Sequence, residues 1–143
     1  MNNQVDTGGN GFLRVIVRTA GGALPVGAAT VNIYGSDLQY GNTGLLYSLR
    51  TGIDGLTPPV ELRAPARSES LTPGTPTPFA RYNIEVRKEG YNSVTNLGAP
   101  VFDGIVSAQP VLLLPTVQGE ETGERIVESP ETGNALYGGN GYE

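Results

Sequence analysis

Short segments of the chain alternate between apolar and polar residues, the pattern of β-strands that bury one face. Leu13, Val15 and Val17 alternate with residues 14, 16 and 18, of which only Ile16 is apolar, and residues 81–87 are apolar at positions 82, 84 and 86. A period of two is expected of a strand whose sheet buries one face. No stretch of ten or more residues shows the helical period without an interrupting glycine or proline. The pattern therefore predicts an all-β protein with essentially no helix.

Glycine, proline and aspartate mark the turns between these segments. Asp54-Gly55 is the sharpest turn signal, because glycine supplies the positive φ that a tight hairpin needs. Pro58-Pro59 cannot lie in the middle of a sheet, so residues 60–62 are expected in an edge strand. Residues 64–78 contain four prolines and form a long connection. About seven strands are expected, near residues 13–18, 29–34, 45–50, 60–62, 81–87 and 91–96 and in a last strand that ends at residue 114.

Four segments together resemble a known family. Residues 51–57 (TGIDGLT), 82–86 (YNIEV), 89–91 (EGY) and 109–115 (QPVLLLP) are similar to the carboxypeptidase-regulatory-like, or transthyretin-like, β-sandwich. The resemblance implies an all-β, transthyretin-like (Ig-like) sandwich of about seven strands. It also implies a module that binds, spaces or assembles rather than one that catalyses.

The sequence divides into three parts. Residues 1–11 are polar and glycine-rich and are expected to form a flexible N-terminal arm, residues 12–115 form the sandwich domain, and residues 116–143 form an acidic, glycine-rich C-terminal extension. The first six residues have no cationic region and no apolar stretch, so they do not read as a secretory signal. No segment approaches the roughly 20 apolar residues of a membrane span.

Charge is distributed unevenly between these parts. The formal net charge is −5, and residues 1–115 contain eight acidic and eight basic residues. Residues 116–143 contain six acidic residues and one basic residue, Arg125, so the extension carries the whole excess. The chain has one lysine and no cluster of basic residues in its sequence, so nucleic acid is not expected as a partner.

The residue types also restrict the chemistry. The chain has no histidine and no cysteine. Histidine is the usual general base near neutral pH and the commonest metal ligand. Cysteine is required for disulfides, thiolate nucleophiles and thiolate metal sites. No other arrangement of acid, base and nucleophile stands out, so the sequence predicts no catalytic residue, no cofactor and no enzyme activity.

The C-terminal extension contains a short repeat. Residues 121–123 and 131–133 are both Glu-Thr-Gly, and a short apolar pair follows each copy. One interpretation is an acidic, disordered solubilising tail. The other is a docking strand, because open sandwiches have edge strands with unpaired backbone groups. On that interpretation the residues that would assemble copies into a homo-oligomer by strand addition are Ile126, Val127, Leu136 and Tyr137.

Loop carboxylates and tyrosines supply two weaker candidates. The carboxylates of Asp37, Asp54 and Asp103 are candidate calcium ligands at the ends of the sandwich, although Asp-Gly pairs are also ordinary turn residues. Tyrosines offer a candidate platform for stacking on sugars. Tyr40, in a polar loop, is the best candidate for surface contact, and the others are Tyr34, Tyr47, Tyr82 and Tyr91.

A narrower resemblance points to a cellular setting. Residues 57–62, 78–82, 101–104 and 109–111 are similar to a module of spore-forming bacteria that is found in proteins linked to spore cortex lysis and peptidoglycan binding. The resemblance implies a location at the spore or cell surface, reached without a recognisable signal peptide, and otherwise in the cytoplasm. It also implies a glycan or peptidoglycan partner.

Two functions follow as hypotheses. The first is a non-catalytic structural protein, a self-assembling subunit of a surface or spore-associated filament that is joined through its terminal extensions. The alternative is a glycan- or peptidoglycan-binding accessory module that acts beside a separate enzyme. Size distinguishes them, since a filament subunit forms large assemblies and a glycan module stays monomeric.

Overall fold

The computed structural model describes residues 8–37, 41–67, 78–117 and 124–129, and these form two β-sheets packed face to face. They contain no α-helix, and a 3-10 turn covers Ala20–Gly22. The strands are β1 (Gly8–Thr19), β2 (Leu24–Pro25), β3 (Thr30–Asp37), β4 (Gly41–Arg50), β5 (Val60–Pro65), β6 (Ala80–Arg87), β7 (Ser93–Val101), β8 (Val106–Leu112) and β9 (Glu124–Glu128). The predicted all-β sandwich is confirmed.

Strand β1 organises the first sheet. On one side it pairs antiparallel with β5 over residues 8–13 and with β2 at residues 18–19. On its other side it pairs parallel with β8, from Phe12 opposite Val106 to Arg18 opposite Leu112. The second sheet has the order β4-β3-β6-β7-β9 and is antiparallel except for the pair of β7 and β9, which is parallel.

The core lies between the sheets and follows the alternation seen in the sequence. On β1 the side chains of Leu13, Val15 and Val17 are at most 1% exposed. In the second sheet the inner strands β3, β6 and β7 each contribute a row of alternating buried side chains. The fully buried residues of that sheet include Val31, Ile33, Ile84, Val86, Val94 and Val101.

The first strand starts earlier than the sequence suggested. β1 begins at Gly8, so residues 8–11, which were assigned to a flexible arm, are paired with β5. The reason is close packing rather than flexibility. A Cβ at Gly11 would lie 2.0 Å from the carbonyl oxygen of Phe102, and a Cβ at Gly9 would lie 2.2 Å from a carboxylate oxygen of Asp103. Glycine is needed here because another strand end approaches the backbone.

The Asp54-Gly55 turn also differs from expectation. The turn is tight, with Gly55 at a φ of +80° and its N–H bonded to the carbonyl of Gly52. However, β4 and β5 lie in different sheets, so the turn joins the two sheets and does not close a hairpin. The two-residue strand β2 was missed altogether. The strand β9, which lies within the C-terminal extension, was expected only as a docking strand on another copy.

The two ends of the sandwich are distinct, and we name them after the ends of β1. The Gly8 end holds the start of β1, the end of β5 and the turn around Asp103, whose carboxylate accepts a hydrogen bond from the backbone N–H of Asn10. At the Thr19 end the hydroxyl of Thr19 donates to the carbonyl of Leu113. Residues 113–116 then cross to the second sheet beside residues 90–92.

Introducing a charge at Val15 tests the core. Val15 is fully buried at the centre of β1, so Val15→Asp should cost several kcal/mol, enough to unfold a domain of this size. Circular dichroism and urea denaturation measure the loss. Ile53→Asp is the control, because Ile53 is 94% exposed and should tolerate the same charge. A folded Val15→Asp variant would contradict this core.

Candidate functional site

The C-terminal extension adds a strand to the edge of the second sheet. β9 runs parallel to β7, from Glu124 opposite Ser93 to Glu128 opposite Leu97. The backbone N–H of Ser129 continues the ladder by donating to the carbonyl of Leu97 at 2.8 Å. The extension therefore pairs with the backbone N–H and carbonyl groups that β7 would otherwise leave unpaired at the edge of the sheet.

Side chains fasten this strand at several points. The hydroxyl of Thr95 donates to the carboxylate of Glu124 at 2.5 Å, and the hydroxyl of Ser129 donates to the side-chain carbonyl of Asn96 at 2.9 Å. The guanidinium of Arg125 donates to the carbonyl of Leu112 on β8 at 2.6 Å. Arg125 therefore connects the extension to the first sheet as well as to the second.

The apolar residues of β9 remain largely at the surface. Ile126 is 66% exposed and Val127 is 39% exposed, so backbone pairing rather than apolar burial holds the strand. Val127 lines a crevice of about 320 Å³ between β9 and β8. Of the four residues predicted for assembly, Ile126 and Val127 are thus placed together on one strand. Leu136 and Tyr137 lie outside the described residues.

Tyrosines close the opposite edge of the sandwich. The phenol of Tyr47 donates to the carbonyl of Glu61 at 2.8 Å, and the phenol of Tyr82 donates to the carbonyl of Arg63 at 2.5 Å. Burial raises the pKa of Tyr82, and the charge of Arg63 offsets only part of that rise, so the phenol stays protonated and can donate. Tyr82 belongs to the core and Tyr47 packs against it, so neither is free for stacking on a sugar.

The candidate calcium ligands serve the backbone instead. One carboxylate oxygen of Asp103 accepts from the N–H of Asn10 and the other accepts from the N–H of Arg67. The carboxylate of Asp54 accepts from the N–H of Leu56, two residues along its own turn. The contact of Asp54 is turn chemistry, whereas those of Asp103 tie its turn to β1 and to residue 67.

The carboxylates also fail to converge. Asp103 lies at the Gly8 end, whereas the turn of Asp54 contacts Val17 and Val26 through Gly55. The side chain of Asp37, at the end of β3, lies outside the described residues. Across residues 8–37, 41–67, 78–117 and 124–129 no three acidic side chains are placed to hold a metal ion.

The remaining tyrosines do not form one platform. Tyr34 lies on the outer face of the second sheet, and its phenol donates to the carboxylate of Glu85. Tyr91 lies in the turn between β6 and β7, at the Thr19 end, and packs partly against the core. Tyr40, the candidate for surface contact, lies outside the described residues.

Glu85 is the centre of a polar network on that outer face. Its carboxylate accepts from the amide of Asn32 at 3.2 Å and from the guanidinium of Arg87 at 2.8 Å, in addition to Tyr34. The hydroxyl of Ser48 extends the network by donating to Asn32. Burial acts to raise the pKa of Glu85, but these hydrogen bonds, Arg87 foremost, outweigh it and lower the pKa.

Comparison with known proteins finds similar solved structures at low sequence identity. No family model and no characterised protein sequence matches the chain. Among solved structures, the Bacillus anthracis TIE protein is similar at 12% identity and a TM-score of 0.44, over 76% of this chain and 17% of that one. A minor pilin of Streptococcus agalactiae is similar at 11% identity and a TM-score of 0.46, over 79% of this chain and 48% of that one.

Enzymes share the same sandwich. 3-Chlorocatechol 1,2-dioxygenase from Rhodococcus opacus is similar at 15% identity and a TM-score of 0.50, over 80% of this chain and 62% of that one. Three further catechol or chlorocatechol 1,2-dioxygenases match as well. In all of these comparisons the chain spans less than two thirds of the other protein's length.

The prediction that the chain is not an enzyme is corrected by these neighbours. It assumed that sandwiches of this kind bind or assemble, whereas several of the matching structures are dioxygenases. The fold therefore does not separate catalytic from non-catalytic proteins. At these identities the likeness extends to the fold alone.

The described residues include no helix long and apolar enough to cross a membrane.

Replacing Glu85 with glutamine tests the polar network through pH. Because the folded pKa lies below the ordinary value of 4.5, the unfolded chain takes up the proton first as the pH falls. The carboxylate therefore adds stability above that value, and the contribution is lost as the pH falls through the lowered folded pKa. We expect the unfolding free energy of the wild type to fall more steeply below about pH 4.5 than that of Glu85→Gln.

Urea denaturation at a series of pH values measures this difference. Glu61→Gln, at an exposed glutamate of β5, is the matched control and should follow the wild type. Parallel curves for the wild type and Glu85→Gln would contradict the role given to the network.

Replacing Asp103 with asparagine tests the turn role against a calcium role. Asparagine keeps one acceptor oxygen but loses the charge and the second one, so the variant should lose about 1 kcal/mol of stability. Thermal unfolding with and without added calcium measures both effects. We expect calcium to leave the wild-type midpoint unchanged, and a rise that Asp103→Asn abolishes would restore the calcium hypothesis.

Proposed function

We propose that the protein is a structural subunit of a surface or spore-associated assembly and that its C-terminal extension joins neighbouring copies by strand addition. The observation that carries the proposal is β9. A segment of the extension occupies the edge of β7 through backbone pairing while Ile126 and Val127 stay largely exposed.

Exchange of this strand between copies needs no new contact. β9 is separated from β8 by residues 113–123, and its partners on β7 are the same whichever copy supplies the strand. Exchange of an identical element between protomers is a low-cost route to assembly.

The extensions leave the sandwich at one end. β1 begins at the Gly8 end, and β9 runs parallel to β7, toward the same end. A copy that receives β9 from one neighbour and donates its own β9 to another makes heterologous contacts, whereas two copies that exchange strands with each other close into a dimer. Heterologous contacts that do not close repeat into filaments. The minor pilin among the structural neighbours shares the fold, which is compatible with a subunit of this kind.

Removing the extension tests the proposal. A chain that ends at Val117 retains the contact of Thr116 with Gly90 but lacks β9, and it should be a folded monomer. The full chain should form large species by light scattering and fibres by negative-stain microscopy. Circular dichroism verifies that the shortened chain keeps its strands.

Point variants separate strand pairing from mere length. Ile126→Pro with Val127→Pro removes the N–H that alternate residues of β9 donate to β7, and should abolish assembly. Ile53→Ser, at an exposed isoleucine outside the extension, is the control and should assemble normally. A full chain that stays monomeric at high concentration and sediments with peptidoglycan would replace this proposal with the glycan-binding accessory module.

A further inference from the structure

A basic groove lies at the Thr19 end, away from the extensions. It forms where the outer face of the second sheet meets the turn between β6 and β7, and its volume is about 430 Å³. Its lining consists of Ala28, Thr30, Arg50, Arg87, Lys88, Glu89, Tyr91 and Ser93. Among these residues three cations face one carboxylate, in a chain whose net charge is −5.

Strand register builds the row of cations. Thr30 on β3 is opposite Arg50 on β4 and also opposite Arg87 on β6, so the two arginines flank one hydroxyl on the same face. Arginines two strands apart are separated by about 10 Å at the backbone, a span that long side chains close around a ligand. The hydroxyls of Thr30 and Ser93 add neutral hydrogen-bond donors to the lining.

The cations differ in what already holds them. Arg87 pairs with Glu85 at 2.8 Å, and this hydrogen bond raises the pKa of Arg87 and fixes its side chain. For Arg50 and Lys88 the described part of the chain supplies no side-chain hydrogen bond or ion pair. Two cations of the groove are therefore available to an outside anion, beside a third that is held in place.

We propose that this groove binds carboxylates and that its ligand is the acidic segment following Ser129 of a second copy. The inference rests on the proposed function and names the acceptor of the extension. The groove supplies paired positive charge, and residues 130–143 contain Glu131 and Glu143 with no lysine or arginine. Charge-assisted hydrogen bonds from arginine or lysine to carboxylate are about twice as strong as neutral ones.

Apolar contacts fit the same pairing. Tyr91 and Lys88 both line the groove, and each carries an apolar portion beside its polar group. The segment carries Leu136 and Tyr137 five and six residues beyond Glu131. A short stretch of the extension thus offers both the charge and the apolar groups that the groove can receive.

The position of the groove makes the contact head-to-tail. The extension leaves β9 in the direction of the Gly8 end, whereas the groove lies at the Thr19 end. Binding between copies therefore joins opposite ends, and each added copy offers a fresh groove. Strand exchange at β7 and capture of the following segment in the groove therefore act on successive copies, because a β9 strand on β7 leads away from the groove of the same copy.

Charge reversal in the full chain tests the proposal. Arg50→Glu with Lys88→Glu should reduce assembly by at least about tenfold, measured as the concentration at which large species appear in sedimentation velocity. Glu131→Arg with Glu143→Arg should do the same. All four changes in one chain should restore assembly, which a purely structural effect would not do. Ile53→Glu, which adds a negative charge at a 94% exposed position outside the groove, should behave as the wild type.

Neutral substitutions and salt provide the supporting arms. Arg50→Gln with Lys88→Gln removes the positive charges without introducing negative ones and should still weaken assembly. This variant is used in place of Arg50→Glu/Lys88→Glu if circular dichroism shows that the latter does not fold. Added salt should weaken wild-type assembly more than that of this variant, because salt screens exposed charges. If the reversed groove assembles as the wild type does, the inference is overturned while the proposed function stands.

A labelled peptide tests the groove if the wild type proves to be monomeric. A monomeric wild type contradicts the proposed function. Fluorescence anisotropy with a labelled peptide of residues 130–143 then tests whether the groove binds this segment. Binding to the full chain that weakens about tenfold in the Arg50→Glu/Lys88→Glu variant supports the groove as the acceptor. Equal binding by both proteins overturns it. Displacement of the peptide by acetate or inorganic phosphate at equal concentration would show a general anion site and reject the assigned ligand.

Discussion

The fold depends on satisfying the backbone of β1 on both of its sides. This strand crosses the whole sandwich with its inner side chains fully buried, so every N–H and carbonyl along it needs a partner inside the protein. No single neighbour supplies them. β5 covers one half of one side, β2 covers the far end, and β8 covers the other side. In the gap between β5 and β2, the hydroxyl of Thr57 accepts from the N–H of Val15, and the carbonyl of Gly55 accepts from the N–H of Val17. The connection between the sheets is therefore also part of the first sheet's pairing.

An open sandwich must also manage its outer edges, and this one treats them differently. The carbonyls of β5 at its outer edge are occupied by the phenols of Tyr47 and Tyr82, so that edge offers little to an incoming strand. β3 and β4 meet through two irregularities in register, a device that bends an edge. The edge of β7 is covered by β9, which comes from the extension. The edge of β7, where copies are proposed to join, is thus the edge that β9 of the same chain covers.

The sequence predicted the parts of this structure that depend on local pattern. Alternation around Val15 and Ile84 located inner strands, because burial of one face imposes a period of two over any strand long enough to show it. β9 was expected only as a docking strand on another copy, because its five residues contain one apolar pair between charges and no alternation that would place them in the sandwich. The glycines of residues 8–11 were taken as flexible, although they are required by the close approach of Phe102 and Asp103. The basic groove could not be predicted from the sequence, because Arg50 and Arg87 are brought together only by the pairing of their strands on either side of Thr30. The balanced net charge of residues 1–115 does not show where on the surface the basic side chains cluster.

The parallel direction of β9 has a mechanical consequence. A pull on the chain beyond Ser129, directed along β9 and away from the Thr19 end, acts in line with the strand. The hydrogen bonds to β7 lie across that line, so the load is shared by all the rungs of the ladder at once. If the chain instead turned back after β9 and was pulled from the other end, the hydrogen bonds to β7 would break one after another. Tension transmitted through the extension therefore meets the strand in shear, the geometry in which a short ladder resists force best, and the bond from Arg125 to Leu112 spreads part of that load to the first sheet.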